Sequence, residues 1–133
     1  MNELKDFRNQ RWQRKDLRGF DWSDHDFTSS ILFGAKFQEC LVKGSIFKNA
    51  DLQGANFSGA VCTGSDFSGA DLADAKLDNG DFRDCIFDSA IFSVTSINHA
   101  DFSGSTFINT DLRFQDLTGA DFLECNFTDA ILL

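Results

Sequence analysis

Residues 50–74 read ADLQG ANFSG AVCTG SDFSG ADLAD, blocks of five residues with a hydrophobic side chain at the centre of each. The same spacing continues without a break from Phe7 to Leu132, over 26 positions that hold 13 of the 16 phenylalanines. A period of five fits neither the period of an α-helix, about 3.6 residues, nor the alternation of a long strand. Self-similarity at a fixed short period is typical of a solenoid, in which each repeat stacks on its neighbours.

A second position keeps the same period. The residue two places before the hydrophobic one is small at 20 of the 21 sites from Ser30 to Ala130, and only Gln115 is large. Extra volume in a close-packed interior causes strain, so this pattern indicates a large and a small side chain pointing inward together. From Phe27 onward, Gly, Asp or Asn occupies 14 of the 21 sites that lie two places after the hydrophobic residue. These residues adopt tight turns at low steric cost, which predicts a corner every five residues.

Four such sides make a coil of 20 residues. With that closure, one column of the core contains only phenylalanine, at Phe7, Phe27, Phe47, Phe67, Phe87, Phe107 and Phe127. Phe114 occupies a corner and is followed by Gln115, so we expect a local distortion at residues 113–116.

The blocks resemble the A(D/N)LXX motif of the pentapeptide repeat family, most clearly at residues 50–54, 55–59, 65–69, 70–74, 100–104 and 120–124. The resemblance covers about residues 16–133 and implies an all-β fold, a right-handed quadrilateral β-helix of about 5–6 coils of 20 residues. Residues 1–15 have large residues at the small inward positions and are predicted to form a cap. We expect a short helix over residues 2–13, with Leu4, Phe7 and Trp12 facing the first coil.

Composition narrows the class of protein. The chain has 133 residues, enough for one domain, and a formal net charge of −9. Its longest apolar runs are far shorter than the roughly 18 residues of a membrane span, and residues 1–15 do not read as a signal peptide. The four cysteines fall at inward positions and are expected to be free thiols. We therefore expect a soluble, cytoplasmic protein without a membrane contact, a metal or another cofactor.

Catalysis is not expected. His25 and His99 are the two side chains that titrate near neutral pH, and neither has a positioned partner in the sequence. A convex rod also offers no cleft, whereas small-molecule sites are usually concave. The sequence therefore predicts neither an active site nor a small-molecule substrate.

Three surface regions are candidates for binding. Asp81, Asp101 and Asp121 fall in one column and form a candidate acidic ladder, although the family consensus alone would also place solvated carboxylates there. Ile91, Val94 and Phe114 form a candidate apolar contact spot. The repeat runs to the C-terminus, so the last coil is a candidate self-association end that would join two copies as a homodimer; its residues are Phe122, Phe127, Ile131, Leu132 and Leu133. Alternatively, Ile131 and Leu133 fold over that end.

The predicted function is a non-catalytic scaffold that presents flat, acidic faces to a protein partner. The family resemblance implies an alternative, because some members imitate B-form DNA in shape and charge and bind DNA gyrase or protect it from quinolones. Residues 1–18 hold six basic and three acidic groups, and this cluster is expected to be a solvated surface. Direct nucleic-acid binding is not expected, because the rest of the chain is acidic.

Overall fold

The computed structural model describes residues 3–132, and that range contains paired extended segments and turns but no helix. Strand β1, Lys5–Asp6, pairs in parallel with strand β2, His25–Asp26, and Lys5 lies opposite His25. From Arg11 onward, single-residue parallel bridges join residues twenty positions apart, from Arg11–Ile31 to Asp111–Ile131. The chain is therefore a β-helix. Each residue stacks on the one that lies four five-residue repeats further along the chain.

Corners recur every five residues because the backbone there enters the left-handed region. The residue two places after each inward hydrophobic residue has φ between 55° and 84°, at glycine and non-glycine positions alike. The Asp or Asn that precedes the hydrophobic residue secures many of these corners. Asp66, for example, accepts the Ser68 N–H at 2.9 Å, and Asn56 accepts the Ser58 N–H at 2.9 Å. This contact is an Asx turn, in which the side-chain oxygen accepts the hydrogen bond that a backbone carbonyl accepts in an ordinary turn.

The core is a column of stacked side chains along the axis. Phe47, Phe67 and Phe87 lie on successive rungs, with ring centroids 5.0 Å apart in both pairs and planes within 5° of parallel. Their side chains are fully buried, as are those of Phe37 and Phe57, which stack at 4.6 Å. The phenylalanine column thus stacks as the spacing predicts, and apolar burial along it is the main source of stability.

The small inward sites also satisfy polar groups. Ser65 is buried, donates its hydroxyl hydrogen to the Val42 carbonyl at 2.6 Å and accepts the Ser45 N–H at 3.1 Å. Thr110 and Ser105 make the same kind of bond to the carbonyls of Phe87 and Phe82. A buried hydroxyl costs free energy unless it is hydrogen-bonded, so these contacts explain why Ser and Thr are tolerated beside the phenylalanines.

The predicted N-terminal helix over residues 2–13 is wrong. Lys5 and Asp6 already pair with the next coil, and Arg11 continues the same ladder. The helix was predicted because Lys5 and Lys15 occupy small inward positions, where a long side chain cannot fit. In the first coil, however, no described coil lies above them, and both side chains are exposed. The Lys15 ammonium lies 5.3 Å from the centroid of the Trp12 ring.

The predicted distortion at residues 113–116 is present. Among the described residues, the series of bridges passes from Ile91–Asp111 to Asp101–Asp121 and omits the pair Ser96–Asp116. The Gln115 side chain takes the place of that backbone pairing, because its Oε1 accepts the Thr95 N–H at 3.2 Å and its Nε2 donates to the Thr95 carbonyl. One large residue at a small site therefore loosens one side of the last coil.

Candidate functional site

The structure places Asp81, Asp101 and Asp121 opposite one another on successive rungs. Each carboxylate accepts the backbone N–H two residues further on, at distances of 2.9–3.2 Å. The acidic ladder therefore also secures its own corners. An Asp→Asn change removes the charge but keeps this acceptor, whereas Asp→Ala removes both.

Arg83 partly neutralises the acidic ladder. Its guanidinium donates to both carboxylate oxygens of Asp81, the shorter bond being 2.7 Å, and lies 4.0 Å from Asp101. This hydrogen bond is the main reason why the pKa of Asp81 lies below its usual range. Sequence reasoning missed this contact, although the Asp-x-Arg spacing could have revealed it. The same spacing gives ion pairs between Asp6 and Arg8, Asp16 and Arg18, and Asp111 and Arg113.

Charge is distributed unevenly along the axis of the rod. Residues 3–62, the first three coils, hold nine basic and eight acidic side chains, a net charge of +1. Residues 63–132, the remaining three and a half coils, hold three basic and thirteen acidic ones, a net charge of −10. The acidic surface expected from the composition is therefore a property of the C-terminal half alone.

The apolar contact spot lies beside the distorted segment. Phe114 is fully exposed, and Val94 and Ile91 are 79% and 51% exposed. Val94 and Phe114 occupy corners with φ of 55° and 60°, a conformation that is costly for β-branched and bulky residues. A shallow groove of about 430 Å³ runs between the two rungs; its lining includes Ile91, Phe92, Asp111, Arg113 and Phe114. The packing of the fold does not account for an aromatic side chain that is exposed to solvent on a strained corner.

The C-terminal end exposes part of the core. Phe122 and Phe127 continue their columns, stacking on Phe102 and Phe107 at 5.3 Å in each pair, but both are only half-buried. Ile131 pairs with Asp111 and stays 46% exposed, so it does not cover the end. Leu132 is 47% exposed, and Leu133 lies outside the described residues.

The N-terminal end is closed by aromatic side chains, a feature that the sequence reasoning did not identify. Phe7, Trp12 and Trp22 meet edge to face, with centroids 5.6–6.2 Å apart. The Trp22 indole N–H donates to the Leu17 carbonyl at 2.7 Å and fixes the ring. The exposed Phe20 ring lies 5.9 Å from Trp22. The signal in the sequence is the pair of tryptophans at the second and fourth sites of the register.

The described residues show no arrangement of catalytic groups. His25 is buried, and its Nδ1–H donates to the Ser23 carbonyl at 2.8 Å. The ring also stacks on Phe27, so it belongs to the core. His99 occupies an exposed corner. Within residues 3–132 there is no cluster of His, Cys, Asp or Glu suited to a metal ion. The same range contains no helix long and apolar enough to cross a membrane.

Comparison with known proteins identifies the repeat. A family model described as pentapeptide repeats matches eight copies, over residues 45–84, 65–104 and 95–132. No curated protein sequence matches the chain.

Several solved structures are similar in fold. The pentapeptide repeat protein Rfr23 from the cyanobacterium Cyanothece 51142 is 13% identical, with a TM-score of 0.55, and the match covers 98% of this chain and 86% of that one. The protein alr5209 from Nostoc PCC 7120 is 30% identical, with a TM-score of 0.48, over 73% of this chain and 84% of that one. QnrB1, a plasmid-mediated fluoroquinolone resistance protein, is 22% identical, with a TM-score of 0.37, over 94% and 71%. Because the family model spans more than half of the chain, this protein belongs to the pentapeptide repeat family.

Proposed function

We propose that this chain is a non-catalytic scaffold that binds a protein partner through its side faces. The twenty-residue pairing and the corners at every fifth residue support the family's right-handed quadrilateral form, with about six coils. Such a rod holds surface residues at fixed spacing along flat faces, a geometry that suits protein recognition better than the binding of a small molecule.

One observation carries this proposal: the apolar contact spot is exposed at a cost in backbone strain. Phe114 projects fully into solvent from a left-handed corner, where glycine stands at equivalent places such as Gly34 and Gly54. Aromatic anchors beside a groove are typical of interface hot spots. Partner binding would bury Phe114 together with Val94 and Ile91.

Affinity purification from a lysate of the source organism tests this surface. Phe114→Asn removes the ring and keeps a residue that tolerates positive φ. The matched control is Phe33→Asn, which changes a partly exposed phenylalanine near the other end of the rod. A partner retained by the parent chain and the control but lost by Phe114→Asn supports the proposal. Equal retention by all three chains would exclude the apolar contact spot as the binding surface.

A second function is favoured by the charge of the C-terminal half, namely imitation of duplex DNA toward a DNA-binding enzyme such as gyrase. Residues 63–132 carry a net charge of −10. At roughly 4.8 Å per coil they extend about 17 Å, a length of duplex that carries about 10 negative charges at one per ~1.7 Å. The net charge density of this half therefore equals that of DNA.

A gyrase supercoiling assay, with and without a quinolone and at two salt concentrations, tests the imitation of DNA. Inhibition or protection at low salt should disappear in a variant with Asn at positions 81, 101 and 121, because this change removes three charges and keeps the corner bonds. The control places Asn at 16, 21 and 26, which removes the same charge from the N-terminal half. No effect of the parent chain at tens of micromolar would exclude this function for the enzyme assayed.

We also propose that a second copy of the chain covers the C-terminal end. Burial of the exposed parts of Phe122, Phe127 and Leu132 would supply the free energy. Sedimentation velocity across a concentration series tests this association directly. A monomer at high micromolar concentration would exclude it.

A further inference from the structure

The two ends of the rod carry opposite charge. The first described coil, residues 3–22, holds six basic and four acidic side chains, a net charge of +2. The last coil, residues 113–132, holds one basic and four acidic ones, a net charge of −3. Contact between two C-terminal ends would place −3 against −3, whereas contact between opposite ends places +2 against −3. Electrostatics therefore favours opposite ends, since like charges brought together cost free energy.

The two ends also differ in the length of the side chains at their inward positions. At the N-terminal end the inward positions hold long side chains, Lys5, Gln10, Lys15 and Phe20, and no described coil lies above them. At the C-terminal end three of the four corresponding positions hold short ones, Ala120, Cys125 and Ala130. A contact between opposite ends therefore has to accommodate the long side chains of the first coil, on a side where no described coil confines them.

Backbone direction gives a third argument. Each coil donates N–H groups to the coil that follows it, as the Phe107 N–H does to the Asn126 carbonyl at 2.8 Å. The equivalent groups of Phe122 and Phe127 face the C-terminal end, and no described coil lies beyond them. The edge of a first coil is the natural parallel partner for these groups, because the ladder uses the same pattern on every rung.

We infer that this chain associates head to tail, with the N-terminal coil of one copy (residues 3–22) docked on the C-terminal coil (residues 113–132) of another. The inference rests on the proposed self-association at the C-terminal end and assigns the surface that meets it. The contact is heterologous, so each copy keeps one free N-terminal and one free C-terminal end. The products are linear oligomers that lengthen with concentration, rather than a closed dimer.

Charge reversal at the N-terminal end distinguishes head-to-tail contact from contact between two C-terminal ends. Arg11→Glu with Lys15→Glu changes the first coil from +2 to −2 and leaves the C-terminal coil untouched. The matched control, Lys43→Glu with Lys48→Glu, makes the same change in net charge in the middle of the rod. Sedimentation velocity at about 50 mM and 500 mM salt measures the size distribution, and circular dichroism establishes that each variant is folded.

Head-to-tail association predicts oligomers for the parent chain and the control at low salt, and a monomer for the N-terminal variant. A complementary variant, Glu124→Lys with Asp129→Lys, changes the last coil from −3 to +1 and should also be monomeric alone. An equimolar mixture of the two end variants should associate again, because every contact between unlike copies then joins opposite charges. Association of the N-terminal variant equal to that of the parent would overturn the inference and leave contact between two C-terminal ends. A monomeric parent chain would overturn both the inference and the proposed self-association.

Discussion

The two ends of this β-helix solve the same problem in different ways. At the N-terminal end, Phe7, Trp12 and Trp22 pack against one another and cover Phe27, which is completely buried. At the C-terminal end, Phe127 of the last coil lies in the same column and is half-buried, as Phe7 is in the first coil. A repeat therefore supplies the interior of a solenoid, but each end needs residues that depart from the repeat. Trp12 and Trp22 are such residues at the N-terminal end.

The largest expected difference between the ends is in the free energy of unfolding that is lost when one phenylalanine is replaced by alanine. Phe27→Ala should lower the free energy of unfolding by about 3–5 kcal/mol, because it opens a cavity in a fully buried column. Phe127→Ala removes the same atoms from a half-buried site and should cost roughly 1–2 kcal/mol. Urea denaturation of the two variants and the parent chain measures both values.

Phe67→Ala, in the middle of the same column, is the control and should match Phe27→Ala. Its ring lies between Phe47 and Phe87 at 5.0 Å on both sides. Equal costs for Phe27→Ala and Phe127→Ala would show that the C-terminal end is covered in solution. Measurement below and above the concentration at which oligomers form would then decide whether a second copy covers it.

A smaller difference is expected at two corners of the C-terminal half, Val94 and Gly104, which are separated by the corner at His99. Val94→Gly should raise the free energy of unfolding by about 0.5 kcal/mol, because relief of a left-handed β-branched residue outweighs the added flexibility of the unfolded chain. The reverse change, Gly104→Val, should cost about 2 kcal/mol, since φ is 75° and the new Cβ would meet the Asp84 carboxylate. Thermal unfolding measures both effects. Destabilisation by Val94→Gly would mean that the apolar contact spot supports the fold, which would weaken its assignment as a binding surface.

The sequence predicts the interior of the rod well and its ends poorly, for a physical reason. Inward positions such as Phe67 and Ser65 are surrounded by identical rungs, so one rule of volume holds throughout the core. Lys5 and Lys15 violate that rule, and a helix was predicted to remove the conflict. The rule does not hold in the first described coil, because no described coil packs against its other side. The Arg83 contact with the acidic ladder was missed because Arg83 occupies a position that the repeat leaves variable, so that the Asp-x-Arg spacing is not part of the repeat pattern.

Acid should weaken the fold through the aspartates that arginines hold ionised. Hydrogen bonding by Arg8 lowers the pKa of Asp6 to about 2, and Arg83 lowers the pKa of Asp81 in the same way. A lowered folded-state pKa gives stability that is fully present above the unfolded value, about 3.9, and is lost as pH falls through the folded value. The free energy of unfolding should therefore decrease between pH 5 and pH 2. Denaturation curves at four pH values in this range measure the slope.

Arg83→Gln tests the cause of that slope, because it removes the donor to Asp81. The variant should be less sensitive to acid than the parent. Lys43→Gln, which changes a lysine two coils before Arg83, should behave as the parent does. Arg8→Gln gives the corresponding test at the N-terminal end. An unchanged slope in both arginine variants would assign acid sensitivity to other carboxyl groups.

The smallest effect concerns thiol reactivity, which probes the ends without altering the fold. Cys40, in the second coil, is almost fully buried, whereas Cys125, in the last coil, is partly exposed. Burial raises the pKa of both thiols, and it raises the pKa of Cys85 in the middle of the rod to about 12. Since the thiolate is the reactive form, alkylation of the native protein should be slow and should occur first at Cys125. Peptide mass mapping after timed alkylation measures this order, and equal rates at Cys40 and Cys125 would contradict the difference between the ends.

Head-to-tail contact covers the last coil, so Cys125 should react more slowly as protein concentration rises. This protection should be absent in the variant with Arg11→Glu and Lys15→Glu.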